Sequence, residues 1–207
     1  MTRSLAVAAG VAMLVLPSAA SAAELTVSPE KRCYRTNETV NLLGTDFTPL
    51  STVTVTRGGT AFDPLRTGAN GEFNGELTLF LDSGRETRTY VATDDSNPSL
   101  TASTQITVSA VRVGLKPANG APGRIMTVTA RGFTTGDVLW AHVRHGGSGR
   151  NVKLGQLTGA CHGLRTRRRL LPRNAALGVH TIQFDTFRRY RSKRAVRDLY
   201  TISVTRG

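Results

Sequence analysis

Two runs of basic side chains in the second half of the chain are the residues best placed to do chemistry. They read RTRRRLLPR, from residue 165, and RRYRSKRAVR, from residue 188. Phosphate and carboxylate groups accept paired hydrogen bonds from the forked guanidinium of arginine, so such runs favour anion binding over catalysis. The candidate ligand-binding residues are Arg165, Arg167, Arg168 and Arg169 in the first run, and Arg188, Arg189, Tyr190, Arg191, Lys193 and Arg194 in the second.

The charge of the chain is divided unevenly between its two parts. Residues 24–109 hold 7 Lys and Arg against 11 Asp and Glu, a net charge of −4, whereas residues 110–207 hold 19 against 3, a net charge of +16. A codon bias toward arginine is one explanation, but it would raise the arginine content of both parts equally. A local positive field collects polyanions, and opposite signs also allow the two parts to attract each other, within one chain or between chains.

An internal repeat sets the organisation of the chain. TVNLLGTDFTPLSTVTV (39–55) and IMTVTARGFTTGDVLWA (125–141) superpose at an offset of 86 residues, which places Phe47 on Phe133. A repeat of this length indicates two similar units. We therefore expect a first, acidic domain over 24–109 and a second, basic domain over 110–207.

Alternating Thr and Val between Gly, Pro and Asn residues indicates strands throughout and predicts an all-β fold, with about seven strands in each domain. Asn70-Gly71 predicts a two-residue hairpin turn, because both positions of a type I′ turn need positive φ. The glycine pair after His145 predicts another hairpin. The strands are expected near 25–28, 38–44, 51–57, 61–66, 72–80, 86–94 and 101–109, then near 111–116, 124–131, 137–144, 150–157, 162–171, 178–186 and 196–205.

The segments TVTARGFTTGDVLWA, ANGEF and GVHTIQFD resemble the tandem bacterial immunoglobulin-like modules of exported actinobacterial proteins. The resemblance covers both domains and implies two tandem immunoglobulin-like β-sandwich domains of Greek-key topology. VGLKPANGAPGRIMTVTARGF is also similar to the opening of the neocarzinostatin-type chromophore carriers. Those carriers have paired cysteines within one domain, which neither domain has here.

The repeat also predicts the direction of Trp140. Leu139 and Ala141 take the core-facing positions of the first copy, and side chains alternate along a strand. Trp140 is therefore expected on the outer face, beside His142 and Arg144, as an exposed platform for a sugar ring or an aromatic ligand. The alternative is a buried tryptophan, as in antibody-type sandwiches.

The first residues predict export. Arg3 precedes an apolar run over 5–16 and then SAASAA, the pattern of a secretory signal peptide over 1–23, with cleavage after Ala22 or Ala23. The run is too short for a bilayer span, and we expect no transmembrane segment in the mature chain. The expected location is secreted or extracellular, with attachment to the cell envelope through binding.

Cys33 and Cys161 are the two cysteines of the chain. Exported proteins keep disulfides, so one bridge between the two domains is expected, and it would fix the angle between them. Two separate buried thiols are the alternative, because sequence does not show how closely the Cα atoms approach.

No catalytic, metal or cofactor signature accompanies these features, and we expect neither an enzyme nor a cofactor. His142 and His145 are three apart, which on a strand places them on opposite faces, and no spacing typical of zinc ligands is present. HGGSGR lacks the nucleophile-elbow pattern and is typical of a turn.

The sequence thus predicts an exported, non-catalytic binding module whose arginine runs, gathered at one tip of the second domain, dock on anionic material. Phosphate-rich wall polymers, acidic polysaccharide, anionic membrane surface and extracellular nucleic acid are the candidate partners. A structural or assembly protein that uses acidic–basic contacts between domains is the alternative. A small-ligand carrier of neocarzinostatin type is the less favoured third reading.

Overall fold

The structure is a computed structural model that describes residues 22–206, and this part of the chain contains sixteen strands and no helix. The first nine strands are β1 (Glu24–Ser28), β2 (Tyr34–Arg35), β3 (Glu38–Thr45), β4 (Thr52–Arg57), β5 (Thr60–Ala61), β6 (Leu65–Arg66), β7 (Phe73–Leu79), β8 (Arg85–Asp94) and β9 (Thr101–Ser109). The others are β10 (Arg112–Lys116), β11 (Ile125–Arg131), β12 (Val138–His145), β13 (Ser148–Gln156), β14 (Leu164–Arg169), β15 (Gly178–Asp185) and β16 (Asp198–Val204).

The first nine strands form two sheets, which we call the N-terminal sheet pair. One has the order β1-β3-β7, and the other has the order β2-β9-β8-β4-β5, with β6 paired to β4. β2 runs parallel to β9, and the main pairings are antiparallel. Alternate side chains from both sheets meet in one buried cluster that runs from Leu25 to Val108.

The remaining strands form the C-terminal sheet pair, with orders β10-β11-β14 and β13-β12-β15-β16. Their inward side chains form a separate buried cluster that runs from Val113 to Val204. In the C-terminal pair the first, second and fifth strands (β10, β11 and β14) form one sheet, and β1, β3 and β7 form the corresponding sheet of the N-terminal pair. This division of strands between two sheets is an immunoglobulin-like order. The predicted all-β sandwich fold is therefore confirmed, while the boundary between residues 109 and 110 stays a prediction.

The alternation predicted from the repeat is present in both copies. Phe47 and Phe133 are buried, as are Val53 in the first copy and Leu139 in the second. The hairpin predicted after His145 is also present, since it pairs with Ser148 across Gly146 and Gly147. Local period-two patterning therefore placed the core side chains correctly.

The hairpin predicted at Asn70-Gly71 is wrong. The turn connects β6 to β7, but β6 pairs with β4 and β7 pairs with β3, so the chain crosses between sheets there. Gly71 has φ of 76°, and a Cβ on it would lie 2.2 Å from the carbonyl oxygen of Phe47. Glycine is needed here because the connection between β6 and β7 approaches the connection between β3 and β4 closely, which a short sequence pattern does not distinguish from a hairpin.

Two strand predictions differ in detail from the structure. The strand expected over 61–66 is broken into β5 and β6, because Pro64 interrupts it. Strand β2 was not predicted. The predicted signal peptide over 1–23 lies almost wholly outside the described residues. Over residues 22–206 no helix has the length and hydropathy needed to cross a bilayer.

The predicted disulfide between Cys33 and Cys161 is present. The two sulfur atoms are 2.10 Å apart and the Cα atoms 5.1 Å apart, across a sequence separation of 128. Cys33 precedes β2 and Cys161 precedes β14, so the bond links the N-terminal and C-terminal sheet pairs covalently.

Candidate functional site

The first basic run lies on β14, at the edge of the β10-β11-β14 sheet. Arg165 and Arg167 are opposite Thr129 and Thr127 of β11, on the side away from the core. Because side chains alternate along a strand, every second residue of the run points the same way. The outward positions of β14 are the exposed Arg165, Arg167 and Arg169.

Three more cations share this side of the sheet. Arg131 is outward on β11, and Arg112 and Lys116 are outward on β10, while Val113 and Leu115 of β10 are buried. Sequence reasoning missed these three because each stands alone in the sequence, although the alternation of β10 and β11 could have identified them. We call this surface the cationic face; its basic residues are Arg112, Lys116, Arg131, Arg165, Arg167 and Arg169.

The charges of the cationic face are not neutralised within the described part of the chain, because none of its six cations forms an ion pair with a carboxylate there. Arg112 and Arg131 are direct cross-strand neighbours. Like charges in that position destabilise a sheet. Arg169 is held at one point, where its Nε donates to the Gly123 carbonyl over 2.7 Å.

Two shallow grooves cross the cationic face. One has a volume of about 240 Å³ and is lined by Arg112 and Arg131, and the other has a volume of about 290 Å³ and is lined by Lys116 and Arg165. They share Gly114, where a Cβ would lie 2.7 Å from the Thr129 hydroxyl oxygen. Each groove is therefore flanked by two cationic groups.

Arg168 does not belong to the cationic face. It is opposite Met126, on the core side of β14, yet its side chain reaches solvent. Its Nη1 donates to the Arg167 carbonyl over 3.0 Å. Of the four residues predicted in the first run, the structure thus brings three together.

The second basic run lies in the loop 186–197 between β15 and β16, where the strands predicted near 178–186 and 196–205 leave it. Arg188, Arg189, Arg191 and Lys193 are exposed, but other side chains of the loop make internal contacts. Arg194 stacks on Phe187, with its guanidinium carbon 3.7 Å from the ring centroid. The loop cations are therefore only partly free.

The same loop covers the outer face of β12. The guanidinium carbon of Arg144 is 4.0 Å from the centroid of the Tyr190 ring, and the His142 and Tyr190 rings are 5.7 Å apart. Gln183 of β15 donates to the Arg191 carbonyl over 2.9 Å, which ties the loop down. The predicted open platform on β12 is consequently covered in part by the loop.

His142 corrects the prediction of an exposed binding residue, because its exposed fraction is 0%. Its Nδ1 is 2.8 Å from Asn151 Oδ1, and its Nε2 is 3.1 Å from Asp185 Oδ1. Burial opposes the charged ring, but the hydrogen bonds to Asp185 and Asn151 outweigh it and raise the pKa of His142. Trp140 takes the predicted outward position and is half-buried.

Asp185 is fully buried and anchors the loop from below. Burial would raise the pKa of this carboxyl, but donors from His142, Gln183 and the Phe187 backbone hold it below its ordinary value. The Phe187 amide donates to Oδ1 over 2.8 Å and the Gln183 amide donates to Oδ2 over 2.6 Å. Both carboxylate oxygens of Asp185 therefore accept hydrogen bonds, from groups that precede it and follow it in the chain.

The two basic runs lie on opposite sheets of the C-terminal pair, contrary to the prediction that they gather at one tip. The first run is part of the β10-β11-β14 sheet, and the loop of the second run covers β12 of the other sheet. The buried cluster of Val113 to Val204 separates them. They form two distinct basic surfaces.

A cleft of about 330 Å³ lies elsewhere on the C-terminal sheet pair, between the β12-β13 hairpin and the segment before β15. The stacked rings of His145 and His180, with centroids 4.3 Å apart, line it. Each ring contacts a backbone carbonyl, of Val179 and Ala176 respectively. Within residues 22–206 no three His, Cys, Asp or Glu side chains converge to hold a metal ion.

No family model and no curated protein sequence matches this chain. Among solved structures it is similar to the Yersinia pseudotuberculosis adhesin InvE, at 13% identity and a TM-score of 0.33, covering 88% of this chain and 58% of that one. It is similar to a tandem repeat of a large adhesion protein at 18% identity and a TM-score of 0.31, covering 88% and 49%. The teleost fish polymeric immunoglobulin receptor ectodomain matches at 12% identity and a TM-score of 0.34, covering 88% and 98%. The chain spans little more than half of InvE, and similarities this low carry no functional argument.

Proposed function

We propose that this protein is an exported, non-catalytic binding module that docks on anionic extracellular or cell-envelope material through its C-terminal sheet pair. The observation that carries the proposal is the cationic face, whose six basic side chains share one side of a sheet and lack carboxylate partners in residues 22–206. The signal-peptide pattern supports export. Binding, rather than a membrane span, would hold the protein at the envelope.

The position of the His142–Asp185 pair supports a non-catalytic role. Both side chains are fully buried, and the Tyr190 ring lies over the histidine. A general base must reach a proton of its substrate, directly or through one water. This pair instead connects β12, β15 and the loop 186–197, which is a structural task.

An assembly role is the second candidate, and one observation favours it. The outer side of the β1-β3-β7 sheet carries the exposed Glu24 and Glu76, whereas the matching side of the C-terminal pair is cationic. Opposite charges on equivalent sheets suit head-to-tail contact between chains.

Ionic strength separates the two candidates. We expect the full chain to be retained on an immobilised phosphate polymer at low salt and released at moderate salt, because counterion release dominates such binding. Size-exclusion chromatography of the same samples reports the assembly state. A mass that falls with salt, without retention on the polymer at any salt, would instead establish the assembly role.

A further inference from the structure

We propose that the cationic face binds a linear phosphate-bearing polymer laid across β10, β11 and β14. This inference rests on the proposed function and assigns it a surface and a ligand chemistry. In this proposal the loop 186–197 contributes less to binding than the cationic face, although the loop contains the denser run of basic residues in the sequence.

The spacing on β14 is the first argument. Outward residues on a strand recur at about 6.8 Å, so Arg165, Arg167 and Arg169 form a ladder of guanidinium groups with that repeat. A polymer with one phosphate in each short repeat unit can meet several steps of the ladder at once. A small anion can meet only one, so the arrangement favours a chain over a single ion.

The two grooves give the polymer a path from β14 to β10. One groove places Arg165 near Lys116, and the other places Arg112 near Arg131, with Gly114 common to both. Thr129 also lines both grooves, and its hydroxyl donates to the Gly114 carbonyl over 3.4 Å. Cationic side chains therefore flank the path at both of its ends.

The N-terminal sheet pair provides an internal comparison. Strand β7 occupies the position of β14, and its outward residues are Asn74, Glu76 and Thr78. The same fold thus carries no arginine ladder in its first copy. The fold itself does not require cations at these positions, and a uniform codon bias would not confine them to one copy.

The electrostatic repulsion between Arg112 and Arg131 favours binding of an anion between them. Like charges directly across two strands repel each other, and no described carboxylate relieves them. A phosphate group between the two guanidinium groups would replace this repulsion by two attractive contacts.

The cationic face favours a phosphate polymer over single-stranded nucleic acid. Single strands are bound largely by stacking of their bases on aromatic rings. The outward positions of β10, β11 and β14 carry no aromatic side chain. Tyr200, at the rim of both grooves, donates its hydroxyl to the Val113 carbonyl and packs edge-on against Phe184.

The test compares two full-length variants that each lose three positive charges. The face variant is R165Q/R167Q/R169Q, and the loop variant is R188Q/R189Q/R191Q. Binding of long-chain inorganic polyphosphate is measured by titration at several salt concentrations, with thermal melts to confirm folding. K116Q/R131Q, on the neighbouring strands, repeats the test if the face variant melts early.

We expect the face variant to bind polyphosphate roughly ten- to a hundredfold more weakly, and the slope of log K against log salt to fall by about 2, from about 0.7 per phosphate contact. The loop variant should stay within about threefold of the wild type. Loss of affinity in the loop variant alone would overturn this inference and leave the proposed function standing. A wild-type chain that binds neither polyphosphate nor other polyanions at low salt would overturn both.

A single-stranded DNA of equal charge distinguishes the ligand class. Tighter binding of the DNA than of polyphosphate would contradict the assignment to a phosphate polymer. Weaker binding of the DNA supports it, because the face offers bases no aromatic partner.

Discussion

His142 Nε2 lies 3.1 Å from Asp185 Oδ1, and both side chains are completely buried beneath the loop 186–197. The other ring nitrogen of His142 faces Asn151 Oδ1, so both nitrogens meet oxygen acceptors. This arrangement suits the protonated ring, which donates from both nitrogens. The pair therefore fastens the loop to the sheet below it.

Replacing His142 by alanine should free the loop. The change leaves the Asp185 carboxylate without one of its donors, and a broken buried pair of this kind costs about 3–5 kcal/mol of the free energy of unfolding. Trypsin should then cleave after Arg188, Arg189 and Arg191 several times faster than in the wild type. Ser203→Ala, on the exposed side of β16, is the control, and equal cleavage rates in all three proteins would show that the pair does not hold the loop.

The pair should also make stability depend on pH. Because the folded-state pKa of His142 is raised, its contribution is complete below the unfolded value of about 6.5 and is lost as the pH rises through the folded value. The pKa of Asp185 is lowered, so its contribution is complete above about 3.9 and is lost as the pH falls further. Urea unfolding should show the largest difference between wild type and His142→Gln near pH 5, and the difference should shrink as the pH rises through the folded-state pKa of His142.

Asp94 should have a comparable anchoring role in the N-terminal sheet pair. Burial opposes its charge, but donors from Ser96, the Thr48 backbone and Ser51 hold the pKa of this carboxyl well below its usual range. Asp94→Ala should lower the free energy of unfolding by about 2–4 kcal/mol at pH 7.

The matched control for that change is Asp95→Ala. Asp95 is exposed and accepts one side-chain hydrogen bond, from Thr54. Asp95→Ala should lower the free energy of unfolding by less than about 1 kcal/mol, with both variants measured by urea unfolding. Since the pKa of Asp94 is lowered, its contribution should persist until strongly acidic pH, and its loss near pH 5 would count against the hydrogen-bond network.

Removing the disulfide should destabilise the protein through its unfolded state. The bond closes a loop with a sequence separation of 128, for which a chain-entropy model gives about 5 kcal/mol. The C33S/C161S variant, and the wild type in reductant, should therefore melt at a lower temperature. An identical Tm with and without reductant would show that the link contributes no stability.

Neutralising Arg131 should stabilise the unbound protein while weakening its binding. Arg131→Gln removes the repulsion with Arg112, worth about 0.2–1 kcal/mol for such a cross-strand pair. Added salt should stabilise the wild type more than the variant, because screening relieves the same repulsion. Arg150→Gln, an exposed change on β13 outside the cationic face, is the control. Reduced stability of Arg131→Gln would contradict the like-charge argument.

Much of the fold could be predicted from the sequence because strand patterning is local. Val53 and Leu139 alternate with outward neighbours, and the repeat predicts that both face the core, where both are buried. The turn at Gly71 was misread for the same reason. A glycine next to asparagine is compatible with a hairpin and with a crossing between sheets, and only the approach of Phe47 decides between them.

The candidate site could be predicted only in part. The run on β14 was evident, but Arg112, Lys116 and Arg131 joined it through strand register, which brings together residues far apart in the chain. His142 was expected to face solvent, and alternation did place it on the outer side of β12. Whether that side stays open depends on where the loop 186–197 folds, which contacts with Gln183 and Asp185 decide.

The amino-acid sequence by itself determined the strands, the repeat and the uneven charge, because each is a property of neighbouring residues or of composition. The tertiary structure alone decided that the two arginine runs lie on opposite sheets, that Cys33 reaches Cys161, and that His142 is sealed beneath Tyr190. These relationships join residues distant in sequence, and they are set by packing of one sheet on another, which no local pattern encodes.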